Sequence, residues 1–237
     1  MIGTADLIVV NAGTGAGADV LFDPNGGALA GNNGDDIYII TQKDQSVTEN
    51  SGQGKDKIFT TLDEYSLGNN IELLSYKGED DFTGTGNDLA NGNDTLDGKA
   101  GIDKLLSGPG DDTLIYDSAD SKIDGGTGTD TLKLNDSGIT LDLNKLTFGK
   151  ISSIEKLDLT GASNNSLLVN TANLAGADGH ELYVIGDAGD SVTLSKTLWE
   201  KADDLKVNDV NYHQYIQITG SQTDHVYVLE AVTQNLV

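Results

Sequence analysis

Residues 92–132, GNDTLDGKAGIDKLLSGPGDDTLIYDSADSKIDGGTGTDTL, repeat the pattern Gly-x-Asp-x-apolar at intervals of nine residues. The aspartates of the pattern are Asp94, Asp103, Asp112 and Asp130, the glycines before them are Gly92, Gly101, Gly110 and Gly128, and the leucines after them are Leu96, Leu105, Leu114 and Leu132. One repeat has Ser121 at the aspartate position, although Ile123 keeps its apolar position. A nonapeptide repeat of this kind is typical of a parallel β-helix.

The nine-residue period predicts the path of the chain. Glycine accepts positive φ and lets neighbouring backbone approach closely, so the glycine-rich half of each repeat is expected to turn sharply. The residues around each leucine are expected to form a short strand whose leucine points into the interior. Two repeats complete one coil, which places Asp94, Asp112 and Asp130 in one column and Asp103 and Ser121 in the opposite column.

Stacked carboxylates and turn carbonyls predict calcium sites between neighbouring coils. Ca²⁺ takes about six to eight oxygen ligands in a flexible geometry. The chain has no cysteine and no clustered histidine motif, which disfavours zinc and copper. The predicted ligands in this region are Asp94, Asp103, Asp112 and Asp130, with close backbone in the turns supplied by Gly92, Gly108, Gly110, Gly126 and Gly128.

Three further Gly-x-Asp turns lie upstream, at Asp19, Asp36 and Asp56. The spacing between them is close to the length of one coil, so these aspartates are expected to form another column of metal ligands. Glu49 lies in the longer coil between the last two, where it either reaches the same ion or is a solvated turn acid. Asp88 has the local signature but is too near Asp94 for the nine-residue register, so it either binds an ion at an irregular corner or binds none.

The repeats divide the chain into two predicted domains of an all-β protein. Residues 1–137 are expected to form a calcium-binding parallel β-roll, with a strand pair inserted near residues 60–90, where the nine-residue register is lost. Residues 138–237 have short alternating segments such as ELYVIG and HVYVLEAV, separated by turns. This pattern predicts a C-terminal β-rich cap.

Composition excludes several classes of function. The chain carries 38 acidic and 14 basic residues, a net charge of −24, which argues against a nucleic-acid partner. No segment approaches the ~20 apolar residues that cross a membrane as a helix. The segment MIGTADLIVV has no basic residue before its apolar run, so it does not resemble a cleaved secretory signal. Without cysteine the protein has no disulfides, and we expect a monomer stabilised by metal instead.

Several motifs resemble those of the RTX (repeats-in-toxin) proteins that Gram-negative bacteria export, namely GNDTLDGKAGIDKLLSGPGDDTLIY, DGGTGTDTLKL and GNNGDDIYII. The region from SSIEKLDLTG to NDVNYHQYIQI looks like the C-terminal part of large RTX adhesins. The resemblance implies export by a type I secretion system, which recognises an uncleaved C-terminal signal, and a secreted or cell-surface location. It also implies that the chain is the tail of a much larger protein.

The sequence therefore predicts a calcium-binding module that folds on export into millimolar calcium and serves as the C-terminal secretion and folding domain of a bacterial adhesin or secreted protein. The alternative is an adhesin domain that binds a sugar or peptide of a host or other surface, although no cluster of exposed aromatic residues marks such a site in the sequence. Ice binding ranks lower, because the Thr and Asn positions of the turns are irregular.

An enzyme is not expected from these residues. His180-Glu181 is not followed by the second histidine of a zinc-protease helix, and no Gly-x-Ser-x-Gly nucleophile motif occurs. The three histidines, His180, His213 and His225, lie in the strand-rich tail without a spaced acid and nucleophile. If the parent protein is an RTX enzyme, this chain is expected to be its non-catalytic tail.

Overall fold

Short β-strands make up the regular structure of this protein. The computed structural model describes residues 17–87, 92–145, 149–161, 164–169, 180–219 and 221–237. Within these residues there are 22 strands and no α-helix, and no helix that could cross a membrane. The strands in chain order are β1 Val20–Phe22, β2 Ile37–Ile40, β3 Lys57–Thr60, β4 Glu64–Ser66, β5 Leu73–Tyr76, β6 Thr83–Thr85, β7 Thr95–Asp97, β8 Lys104–Leu106, β9 Thr113–Ile115, β10 Lys122–Asp124, β11 Thr131–Lys133, β12 Thr140–Asp142, β13 Ile151–Ser152, β14 Lys156–Asp158, β15 Ser166–Val169, β16 Glu181–Ile185, β17 Ser191–Leu194, β18 Glu200–Lys201, β19 Leu205–Val207, β20 Val210–Thr219, β21 Gln222–Leu229 and β22 Thr233–Leu236.

The strands form three sheets whose strands are mostly parallel. The long sheet has the order β1-β2-β3-β5-β7-β9-β11-β14-β16-β21-β20-β18, with β19 on β20. The second sheet has the order β13-β10-β8-β6-β4, and the third has the order β12-β15-β17-β22. From β3 to β11 the chain alternates between the long and the second sheet, so each pair of strands and its two turns forms one coil.

The interior between the sheets holds the apolar residues of the repeats. Leu96, Leu105, Leu114, Ile123 and Leu132 are fully buried, as the nine-residue pattern predicts. Each is the middle residue of a three-residue strand, so its two strand neighbours point to the outer face. Burying one such side chain contributes ~1.5–3 kcal/mol, and the stacked coils repeat that gain along the molecule.

The strand pair expected as an insertion near residues 60–90 is absent from the described part of that region. Instead, β5 lies in the long sheet between β3 and β7, while β4 and β6 continue the second sheet. The register pairs Lys57 with Leu73 and Leu73 with Thr95, so one step is shorter and the next is longer than the regular step of two repeats. The turns vary in length while the strands continue to pair. The nine-residue repeat is therefore lost from the sequence here, although the stack of parallel strands continues.

The chain after residue 137 is rich in β-strands, but the long sheet is not interrupted there. β11 pairs in parallel with β14, β14 with β16 and β16 with β21. The third sheet replaces the second one as the opposite wall, and the antiparallel hairpin of β20 and β21 follows. The predicted boundary thus marks a change of turn chemistry within one continuous sheet.

Glycine is required where the turns of successive coils stack. Gly110 has a φ of 144°, and a Cβ built on it would lie 2.0 Å from the carbonyl oxygen of Gly92, one coil earlier. Gly128 has a φ of 138°, and a Cβ built on it would lie 1.9 Å from the carbonyl oxygen of Gly110. A side chain at these positions would have both an unfavourable backbone and no space.

We predict that Gly110→Ala lowers the free energy of unfolding by about 3 kcal/mol or more, because strain and overlap add. Gly138→Ala is the matched control: its φ is 72°, but a built Cβ meets nothing within 4 Å, so a loss of only ~1 kcal/mol is expected. Urea unfolding in a fixed calcium concentration measures both. Equal losses in the two variants would contradict the close stacking of the turns.

Candidate metal sites

An acidic side chain immediately precedes each of the first eight strands in the order of the long sheet, from β1 to β14. These residues, which we call the carboxylate ladder, are Asp19, Asp36, Asp56, Glu72, Asp94, Asp112, Asp130 and Glu155. In six of the seven steps, the carboxylate accepts a hydrogen bond from the backbone N–H of the ladder residue one coil earlier. The N–O distances are 2.8 Å from Asp94 to Asp112 and 2.9 Å from Asp112 to Asp130. The other four, from Asp19, Asp36, Asp56 and Asp130, are 2.7–2.9 Å.

Two members of the ladder, Glu72 and Glu155, were missed by the sequence pattern. The pattern required aspartate with a glycine two positions before it, and neither glutamate has that glycine. Their carboxylates nevertheless accept the N–H groups of Asp56 and Asp130, both at 2.8 Å. The available signal was an acid directly before a short alternating strand, as in IELLSY and IEKLDL.

The second oxygen of several ladder carboxylates has no partner. Asp36 Oδ2 and Asp130 Oδ2 are buried and accept no hydrogen bond within the described structure. Asp112 Oδ2 is likewise buried without a well-aligned donor, although the Ser107 hydroxyl is near enough to the carboxylate to oppose the rise of its pKa. A buried carboxylate oxygen without a donor is costly, and such atoms in a folded protein indicate a missing ligand, ion or water. The repetition of this orphan atom down one column points to a cation that bridges coils.

Burial and mutual repulsion disfavour the ionised form of the carboxyl groups in the ladder. Burial raises the pKa of Asp130 to about 7; the hydrogen bond from the Asp112 N–H opposes this shift, and the charges of Asp112 and Glu155 add to it. Burial likewise raises the pKa of Asp94 to about 7 and that of Asp56 to about 6. Stacked carboxylates therefore need either protons or cations at neutral pH.

The tightest group of acids lies at the N-terminal end of the ladder. Asp36, Glu49 and Asp56 are buried, and each offers a carboxylate oxygen such that the three atoms lie within 4.8 Å of one another. Glu49 Oε1 accepts hydrogen bonds from the Tyr38 hydroxyl and, at 3.1 Å, from the Gly31 N–H, while Oε2 has no partner. Glu49 is 6% exposed, so of its two interpretations the solvated turn acid is wrong.

The donor set of these sites suits calcium. The ladder side chains offer only carboxylate oxygens. The stacked turns add backbone carbonyl oxygens of the predicted glycines: Gly92 O faces Gly110, Gly110 O faces Gly128 and Gly108 O faces Gly126. The space beside the carboxylates also depends on glycine, since a Cβ on Gly31 would lie 2.0 Å from Asp36 Oδ2. Hard carboxylate and carbonyl oxygens around a flexible cavity are the ligands that Ca²⁺ prefers.

The predicted ligands differ in how far the protein itself satisfies them. Both oxygens of Asp94 have donors, because the backbone N–H of Asn87 donates to its Oδ2 at 2.7 Å and the Asn87 amide donates to its Oδ1 at 3.0 Å. Asp19 is only half-buried. Asp103 lies in the opposite column, where its Oδ1 accepts the Phe82 N–H at 2.9 Å. Asp88 lies outside the described residues.

A second surface feature arises from strands that are distant in sequence. Tyr183 stacks on Tyr227 with ring centroids 4.6 Å apart, and Tyr212 packs edge-on against Tyr183 at 5.8 Å. His225 lies parallel to Tyr227 at 5.8 Å. Tyr227 is buried, whereas the other three are partly exposed, so β16, β20 and β21 present an aromatic cluster that the sequence did not reveal.

Comparison with known proteins does not assign the chain to a family. No family model matches it, and no curated protein and no solved structure matches it either. The functional argument therefore stands on the geometry of the sites.

We predict that the metal-free protein loses stability as the pH rises from about 4 to about 7. The raised carboxyl pKa values mean that the folded state holds protons which the unfolded chain releases near pH 4, so the extra stability is complete below that pH and is lost as the folded-state groups ionise. Chelator-treated protein in high salt, which screens surface repulsion, is unfolded with urea across this range.

Calcium is expected to remove or reverse this pH dependence, because it stabilises the ionised carboxylates. Metal-free stability that rises between pH 4 and 7 would contradict the buried position of the ladder. The same series in excess calcium is the control.

Proposed function

We propose that this chain is a calcium-binding module whose fold is completed by ions held along the carboxylate ladder. The observation that carries the proposal is the repeated buried carboxylate oxygen without a partner, at Asp36, Asp112 and Asp130. The three-acid group of Asp36, Glu49 and Asp56, which shares Asp36 with that column, adds to this support. The RTX-like repeat in the sequence agrees with this chemistry.

On this proposal, the calcium concentration of the compartment decides whether the module is folded. Where free calcium is scarce, the ionised column repels itself and the acid-rich coils remain open, which suits passage through a type I export channel. In millimolar calcium outside the cell, ions bind the folded state. A site contributes about 2.7 kcal/mol when the free ion is ~100-fold above its dissociation constant. Several sites supply a large part of the ~5–15 kcal/mol that stabilises a domain.

On this proposal the protein works outside the cell or on the bacterial surface. The chain serves as the secretion and folding tail of a larger adhesin or secreted protein, with calcium and the export machinery as its partners. Its acidic charge of −24 suits binding of cations.

The central test is a calcium titration of Asp112→Asn. Asparagine keeps the oxygen that accepts the Asp94 N–H and replaces the unpartnered, charged oxygen by an amide. We expect the calcium midpoint to shift upward by about tenfold or more and the transition to become less steep. Circular dichroism and the fluorescence of the buried Trp199 report folding, and magnesium is the control ion.

The matched control variant is Asp190→Asn in the third sheet. Asp190 is equally buried, but its two oxygens accept N–H groups from Asn165 and Asp187 at 2.9 and 2.7 Å. Its replacement should lower stability similarly with and without calcium. If Asp112→Asn titrates like the parent, or if the parent shows no response to calcium, the proposal is wrong.

The aromatic cluster supports a second candidate function, the binding of a sugar or peptide ligand. Tyrosine rings with polar groups at their rim, here Glu181 bonded to the Tyr227 hydroxyl at 3.2 Å and Gln214 bonded to His225 at 2.8 Å, suit an amphipathic ligand. Tyr183 is the most central exposed ring, since it contacts both Tyr227 and Tyr212.

We predict that, if this second function holds, an array of glycans and peptides shows binding in calcium that Tyr183→Ala removes. Phe59→Ala, on another part of the long sheet, serves as the aromatic control and should retain binding. No binding by the folded parent protein would exclude this candidate and leave the calcium proposal unaffected.

A further inference from the structure

A row of exposed residues lies beside the carboxylate ladder, two positions before strands β2, β3, β7, β9 and β11. These residues, which we call the outer row, are Asp35, Lys55, Asn93, Asp111 and Thr129. The backbone N–H of Lys55 donates to Asp35 Oδ1 at 2.9 Å, and that of Thr129 donates to Asp111 Oδ1 at 2.8 Å. Strand β5 is the exception, because the residue two positions before it is Ile71, whose side chain is 1% exposed.

The outer row therefore has a gap at β5, between Lys55 and Asn93. Asn87 joins the turns beside this gap, since its amide donates to the Ile71 carbonyl and to Asp94 Oδ1, both at 3.0 Å. The gap opens into a cavity of about 670 Å³, which is within the size range of small-molecule sites. The inward turn of Ile71 thus leaves room for a ligand.

The wall of this cavity combines apolar, polar and charged side chains. Ile37 and Leu73 are its apolar part, while Asn93 and Thr95 offer hydrogen-bonding groups. A small apolar patch with a few polar groups suits a sugar ring, which has apolar C–H faces and a rim of hydroxyls. An extended peptide is disfavoured, because β3, β5 and β7 below the cavity are each paired on both sides and offer no free strand edge.

Lys55 and Lys57 are the cationic groups of the wall. Neither forms an ion pair among the described residues, and Lys57 Nζ lies 5.5 Å from the centroid of the Phe59 ring. The chain has no arginine, so the planar, two-pronged recognition that guanidinium gives to carboxylates is absent. Two ammonium point charges suit a compact tetrahedral anion, a sulfate or phosphate group.

Calcium changes the charge of this cavity. Its wall contains four acids and two lysines, so the ionised wall has a net charge of −2 and repels an anion. Asp36 and Asp56 belong both to the wall and to the three-acid group with Glu49, and the buried Asp36 Oδ2 has no partner. One calcium ion in that group cancels the charge of the wall and leaves the two ammonium groups free to bind an anion.

We propose that the cavity of the calcium-bound protein binds a sugar that carries a sulfate or phosphate group. Lys55 and Lys57 pair with the anionic group, and Ile37 and Leu73 contact the ring. The site rests on the proposed function, because calcium must first neutralise the carboxylates of the wall. It is separate from the aromatic cluster, which lies on β16, β20 and β21.

The test is calorimetric titration of the full chain in saturating calcium. Glucose 6-sulfate and glucose 6-phosphate are the two probes, and they show which tetrahedral group is preferred. Glucose, glucuronate and inorganic sulfate are the comparison ligands. We expect at least one of the two esters to bind about tenfold or more tightly than each comparison ligand, because only the esters combine the ring with a tetrahedral anion.

Two pairs of variants locate the binding. Lys55→Gln should weaken binding of the ester by about tenfold, whereas Lys122→Gln, which removes the same charge from the second sheet, should not. Thr95→Trp should fill the cavity and abolish binding. Thr113→Trp, at the residue paired with Thr95 one coil later, lies outside the wall and should retain it. Circular dichroism in calcium verifies that all four variants are folded.

The outcomes separate this site from the other proposals. Retained binding in Tyr183→Ala is expected, and its loss would place the sugar on the aromatic cluster and overturn the site. A calcium-bound parent that binds neither ester, or binds them no better than the comparison ligands, also overturns it and leaves the calcium proposal intact. A parent that shows no response to calcium overturns the proposed function itself.

Discussion

A hydrogen bond from the backbone of one coil to a carboxylate of the next is the interaction on which this structure depends. One oxygen of most ladder acids accepts the N–H of the ladder residue before it, as Asp112 does from Asp94 and Asp130 does from Asp112. This bond fixes the register of neighbouring coils and places the acids in one column, most of which is buried. The register, however, turns several of the second oxygens toward a place without donors, so the same contact that orders the coils also creates the need for a counter-charge.

The lysines do not meet that need. Lys99, Lys122, Lys133 and Lys145 pair with outer-face acids, namely Asp97, Asp124, Asp158 and Asp142. Among the described residues, no ion pair reaches Asp36, Asp112 or Asp130. The stacked turns are too close for a side chain to enter, because even a Cβ built on Gly31 would lie 2.0 Å from Asp36 Oδ2. A small cation is the counter-charge that we propose for these carboxylates.

The nine-residue pattern predicts the part of the fold that has a constant step. It locates the buried leucines and the column of Asp94, Asp112 and Asp130, because strand pairing recurs there with every second repeat. The sequence pattern missed ladder residues where the number of residues between paired strands departs from two repeats. Glu72 and Glu155 join the ladder across a shorter and a longer step, where a longer side chain and a different turn replace the Gly-x-Asp signature. Tyr183, Tyr212 and Tyr227 meet only through pairing of β16, β20 and β21, which no local pattern records.

The geometry of the ladder explains why coils of different lengths can stack in one column. A parallel strand requires only that its own residues pair with the previous strand, and the ladder adds one further condition, an acceptor immediately before the strand. Turn length is free between these points, so coils of different length share one column. The third sheet meets the same condition without an orphan oxygen: the Asn165 side chain accepts the Ile139 N–H, and both oxygens of Asp190 accept backbone N–H groups, one of them from Asn165. The dependence on ions is therefore concentrated in the coils with orphan oxygens, and we infer that calcium orders the acid-rich coils more than the third sheet.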